Sequence, residues 1–168
     1  MNHYQQQMKP RLFKGQKGVA TVEFALAAML FLTVFFAIID FSYLFWGNLS
    51  MQHAVREGAR YAVTGQASLD PNPEGTAQDR CDAAIEEIKN QSMGVFQKVS
   101  AVVVFSTVTA GDPPVITSVP GNSCAAAGQI ILITVNCTLP LLTPFLQPFF
   151  GGPNYAFSVS ATMKNEDF

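Results

Sequence analysis

A chain of 168 residues has room for one long apolar helix and one modest domain, and no more. Charge is divided unevenly: the first 18 residues carry Lys9, Arg11, Lys14 and Lys17 and no acid, while the other 150 carry six basic and twelve acidic side chains. An acidic body excludes nucleic acid as an expected partner, because binding phosphates takes clustered Lys and Arg.

Met1 to Gln16 is polar, basic and Gln-rich, with Pro10 and Gly15, and reads as a disordered leader. The stretch Val19 to Trp46 then holds 28 residues of which only Glu23 and Asp40 carry charge. Between those two, Phe24 to Ile39 is uncharged and mostly apolar, with Thr33 its only polar residue. A bilayer core takes roughly 20 such residues in a helix, so 19–46 predicts a transmembrane span. Tyr43 and Trp46 stand at its far end, where amphipathic rings favour the membrane–water interface. The apolar run exceeds the roughly 7–15 residues of a secretory signal core, and its Ala25-Leu26-Ala27 triplet lies too early to serve as a signal cleavage site. The four basic residues keep the leader, 1–18, in the cytoplasm and send the C-terminal body across the membrane. Glu23 stands out, since a carboxylate inside a span costs about 2.5–3.5 kcal/mol on insertion scales and calls for a partner, a function or a route to the headgroups.

The residues around Glu23 carry a pattern. A cut after Gly18 makes Glu23 the fifth residue of the new chain, followed by Phe24 and the apolar helix. A basic leader, a Gly, an acid five residues on and a hydrophobic helix together resemble the processing signal of type IV pilins and pseudopilins. The residue after Gly18 is Val19, where type IV pilins more often carry Phe or another large residue.

Gly47 to Val63 contains no Pro, and Leu49, Met51, Ala54, Val55, Gly58, Ala59, Ala62 and Val63 recur at roughly helical spacing. The span therefore continues as a helix to Thr64, where Gly65 is a plausible stop; 19–64 measures about 69 Å at 1.5 Å per residue. Its small-residue stripe offers packing to the chain's own domain or to neighbouring helices, and core packing is the expected role of each residue in it. The run GVATVEFALAAMLFLTVFFAIIDFSYLFW followed by HAVREGARYAV is similar to the TadE-like family, minor pseudopilins of the tight-adherence (Tad, Flp-type) pilus of bacteria. The closing SVSATMKNE, Ser158 to Glu166, also resembles the final strand of such proteins. The resemblance implies a pilin-like α+β fold and a role in pilus assembly, adhesion and surface colonisation. It implies processing between Gly18 and Val19 by a prepilin peptidase, with Glu23 and Phe24 serving recognition and assembly. Its implied partners are that peptidase, the pilin and other pseudopilin subunits, the inner-membrane platform and the membrane itself, and it implies a place in the bacterial inner membrane, facing the periplasm, or in an extracellular pilus.

The remainder, 65–168, reads as a small periplasmic α+β domain. Ser68 to Gln78 is a turn-rich linker with Pro71 and Pro73. Asp79 to Met93 forms an amphipathic helix ended by Gly94, and Lys98 to Thr109 is a strand dense in β-branched residues. Gly111 to Pro114 turns, Val115 to Val119 is a short edge strand, and Gly121 to Gly128 is a loop holding Cys124. Gln129 to Thr138 is the most apolar strand; Leu139 to Pro153, with four prolines and Gly151-Gly152, is expected to be irregular and to fold back over the core or touch bilayer or partner. Tyr155 to Met163 alternates as a last strand.

Cys81, Cys124 and Cys137 all fall on the side that permits a disulfide, and an odd count leaves one thiol over. A strand from Gln129 to Cys137 spans about 26 Å, while the step from Cys124 to Gln129 covers at most about 18 Å. Joining Cys124 to Cys137 would bend the strand, which leaves Cys81–Cys124 as the expected pair and Cys137 as a buried thiol. The cysteine spacing fits no zinc motif, and the only histidines are His3 and His53. No P-loop, G-x-S-x-G or H-E-x-x-H occurs, so neither catalysis nor a metal or cofactor is expected. The alternatives are an unprocessed signal-anchored domain that binds a ligand and, with less support, a membrane-tethered enzyme.

Overall fold

The structure, a computed structural model, describes residues 17–75, 77–119, 124–144 and 146–166. The expected leader at 1–16 lies outside them. Two compact units divide the chain: one runs to Phe36, and the second is Ala37–Phe168. A single helix, α1 (Lys17–Val63), contributes to both.

In the first unit the side chains of α1 are almost all exposed: Phe24, Leu30 and Phe31 show 74%, 71% and 68% of their surface. Phe31 and Phe35 stack with ring centroids 6.1 Å apart. Nothing within the most apolar window of the helix is buried, which suits a lipid-facing segment and not the core helix of a soluble protein.

In the second unit the character of α1 changes at Asp40. Buried positions recur at 40, 44, 47, 50, 51, 54, 55, 58, 59 and 62, the three- and four-residue spacing of one helix face. Most of the expected stripe lies on that face, with Met51, Ala54, Val55, Ala59 and Ala62 fully buried; Leu49, 48% exposed, falls off it. The stripe packs within the chain's own domain. A Cβ placed on Gly58 would lie 2.3 Å from Ile88 Cγ1 and 3.0 Å from the carbonyl of Ala84, so Gly58 is where α2 (Ala77–Gln91) comes closest. That helix starts and stops two residues earlier than its sequence suggests. Asp79 Oδ2 accepts from the amides of Glu74 and Gly75 ahead of its first turn, and at its end Met93 turns left-handed with φ 52°.

Four antiparallel strands, β1 (Ser100–Thr109), β2 (Val115–Ser118), β3 (Ile130–Pro140) and β4 (Asn154–Lys164), form one sheet in the order β2-β1-β3-β4. Ile131, Ile133, Val135, Cys137 and Leu139 alternate inward along β3 and join Leu44, Met51 and Val55 of α1 and Ala84 and Ile88 of α2 in one core. Asn136, Ser158, Ser160 and Thr162 fall on the opposite, polar face. Past β4, the Glu166 amide donates to the carbonyl of Val63, capping α1, and the Asn165 amide donates to Gln129. The fold is α+β, a long apolar N-terminal helix followed by a small antiparallel sheet with helices.

The stretch Leu139 to Pro153 is more regular than its prolines suggest. β3 runs on through Leu139 and Pro140 to pair with Asn154, and α3 (Gln147–Phe150) forms a single turn with Pro148 near its start. Proline is tolerated there because amides of a first helical turn have no partner to lose. Gly151, at φ 72°, closes the turn, and Leu141 donates its amide to the carbonyl of Pro153, tying the base of the connection.

Candidate functional site

Gly18 and Val19 lie in the first turn of α1, whose amides lack intrahelical acceptors, so opening this turn sacrifices little hydrogen bonding. Nothing comes within 4 Å of a Cβ built on Gly18, and Val19 is 53% exposed. Glu23 and Phe24 are exposed as well, one turn further on. Val19 and Glu23 are four residues apart and share a helix face, so an α-amino group made at Val19 would be within reach of the Glu23 carboxylate. All four positions are exposed near the N-terminal end of α1, and Val19 and Glu23 share a face.

A second acid marks the other end of the apolar run. Asp40 is 1% exposed, and its Oδ2 accepts a hydrogen bond from the hydroxyl of Thr143, 103 residues away in the β3–β4 connection. Its Oδ1 is buried without a hydrogen-bond partner. Next to it, the Phe41 ring meets Phe150 with centroids 6.2 Å apart, and Phe150 meets Tyr155 at 5.6 Å. The sequence signal for this cluster was present, since a buried carboxylate at the end of a span requires a partner. The identity of that partner had no local signal.

Cys81 and Cys124 form a disulfide with Cα atoms 5.4 Å apart, and Cys137 is the buried free cysteine. The loop around Cys124 is tied down by carbonyl acceptors: Asn165 Nδ2 donates to residues 124, 125 and 126 at 3.0–3.3 Å, and the Arg80 guanidinium donates to Cys124 and Ala125. Burial lowers the pKa of Arg80 and raises the Cys137 thiol to about 11. His53 is exposed and Cys137 buried, opposite surroundings for a base and its nucleophile. Glu86 pairs with Lys89, and Glu87 accepts from Gln91 at 2.8 Å, so these adjacent acids serve separate helix-surface contacts. Among the described residues no group of three or more His, Cys, Asp or Glu side chains could hold a metal.

Residues 18–60 match the family model of TadE-like proteins, which bears out the resemblance read from GVATVEF and REGARYA. The matched stretch is nearly all of α1 and stops short of α2 and the sheet. No curated protein and no solved structure matches the chain. The family match supports a protein associated with a Tad-type pilus, and the long unburied helix a membrane-anchored one.

Proposed function

We propose that this protein is a minor pseudopilin of a Tad-type pilus. It enters the inner membrane with its leader in the cytoplasm, is cut between Gly18 and Val19 by a prepilin peptidase, and joins pilin subunits through the exposed flank of α1. The observation that carries this reading is the TadE-like match over residues 18–60, the stretch that includes the cut site and Glu23. Its supports are the exposure of Val19, Glu23 and Phe24 and the absence of burial along the apolar run. The protein acts as substrate and subunit; catalysis belongs to the peptidase.

In this reading Glu23 meets the new amino group at Val19, within its own chain or on a neighbour. Such a pairing offsets part of the cost of an acid in apolar surroundings, and between chains it would set the stagger of packed helices. The test is co-purification of pilin subunits with wild-type and Glu23→Ala protein from cells with an active pilus system. Glu23→Ala should insert normally and fail to bring down pilin. Equal recovery together with normal piliation would return the chain to a signal-anchored domain with no assembly role.

A further inference from the structure

The connection between β3 and β4, residues 141–153, reads LLTPFLQPFFGGP and contains no charged side chain, although it lies on the surface of an acidic domain. Leu141 and Leu146 turn inward, while Leu142 is 55% and Phe149 78% exposed, the latter the highest exposure of any large apolar side chain among the described residues. Phe149 is held out by a defined backbone: its own amide donates to Leu146, that of Gly152 donates to Gln147, and Gly151 closes the turn. Beside this turn a groove of about 220 Å³ is lined by Phe41, Leu44, Phe45, Asn48, Phe150 and Tyr155. Phe41 and Phe45 are themselves 56% and 66% exposed, so the apolar surface of α1 adjoins the connection across this groove.

Depth along α1 identifies what covers this surface. Trp46 stacks near Tyr43, with Lys98 Nζ 5.6 Å above its ring, an aromatic–cation arrangement suited to the headgroup level. Asp40 lies six residues nearer the apolar run, about 9 Å along the helix at 1.5 Å per residue. Thr143 is hydrogen-bonded to Asp40, so the connection reaches that same level. A segment that pairs with a residue below the interfacial Trp must itself enter the boundary between headgroups and acyl chains, and only an uncharged one can do so cheaply.

We propose that the β3–β4 connection is a second membrane contact, docking Leu142 and Phe149 into the bilayer surface from which α1 emerges. It shields the Asp40 carboxylate from lipid and holds the domain against the membrane. The proposal rests on α1 crossing the bilayer.

The test places a single Trp at chosen sites in a Trp46→Phe background, with the full chain reconstituted in phosphatidylcholine vesicles. Phe35→Trp reports the span, Phe149→Trp the connection, and Val102→Trp the outer sheet face, where Val102 is 61% exposed. Emission is read with lipid brominated near the headgroup and with aqueous iodide. Phe149→Trp should shift to the blue, lose emission to the brominated lipid and keep it against iodide, while Val102→Trp should do the reverse. Quenching of Phe149→Trp by iodide alone, with Phe35→Trp quenched by lipid, would overturn the docking and leave the span intact. Protection of Phe149→Trp from both quenchers would point to a protein partner or second copy and also overturn it. Loss of Val102→Trp emission to lipid would mean the whole domain lies on the membrane, against a localised contact. If Phe35→Trp escapes the lipid quencher, the anchoring itself fails and the docking with it.

Discussion

Asp40 and Thr143 form the one hydrogen bond described between a buried acid of α1 and the β3–β4 connection. Removing the hydroxyl leaves a buried carboxylate with neither oxygen bonded, a loss of about 1–3 kcal/mol for an unsatisfied polar group, and more when it is charged. Thr143→Val should therefore lower the unfolding free energy of the detergent-solubilised protein by at least that amount. Asp40→Asn keeps an oxygen that accepts from Thr143 and removes the charge, so in denaturant titration it should match or exceed wild type. The reverse ranking would mean that Asp40 is stabilised as an anion by groups other than Thr143. Cys137 gives a pH signature of its own. Burial holds its thiol to about 11 when folded, against an ordinary 9.0, so the unfolded chain gives up its proton first. The unfolded state then binds fewer protons between about pH 9 and pH 11, and stability falls as pH rises through that window. Cys137→Val should flatten this decline, and a thiol reagent at neutral pH should label wild type only after unfolding.

At the scale of elements, the packing of α1 on α2 turns on Gly58. Gly58→Ala would force its methyl group into Ile88 Cγ1, an overpacking that costs about 1–3 kcal/mol. Ile88→Ala removes that atom, so the double variant should recover part of the loss relative to the sum of the single changes. Recovery would stay incomplete because the Ala84 carbonyl, at 3.0 Å, belongs to the backbone of α2 and cannot withdraw. Strict additivity in thermal unfolding would contradict the close crossing. The stripe on α1 was legible in the sequence because Ala, Gly and Val recurred at helical spacing, and β3 was legible because Ile131, Ile133 and Val135 alternate. Core packing was the expected role of the stripe and is what it does, but the element it meets, α2 at Gly58, had no local signal. The order in the β3–β4 connection was also hidden. Its prolines read as breakers, yet Pro148 sits in a first turn and Pro140 at a strand end, places where a missing amide costs little. The Asp40–Thr143 pair joins residues 103 apart, and no local pattern carries such a contact.

At the scale of the whole molecule, the two units divide the work by surface. From Lys17 to Phe36 the chain is an exposed apolar helix with one acid, Glu23. From Ala37 onward the same helix turns one face into the core of a domain that the sheet, α2 and the Cys81–Cys124 disulfide complete. That disulfide closes a loop of 43 residues, for which chain entropy gives about 4 kcal/mol. Cys124→Ser should accordingly destabilise the domain by about 2–4 kcal/mol in denaturant while leaving membrane insertion unchanged, because the span lies outside the loop. A loss of insertion would show that the domain, and not α1, directs the chain to the membrane.

The central claim, that this chain is a processed pseudopilin, turns on the bond between Gly18 and Val19. The measurement is the intact mass and N-terminal residue of protein purified from the membranes of cells with an active prepilin peptidase, beside the same protein from cells lacking it. The first sample should yield a chain beginning at Val19 and the second one beginning at Met1. A chain that begins at Met1 in both would contradict it.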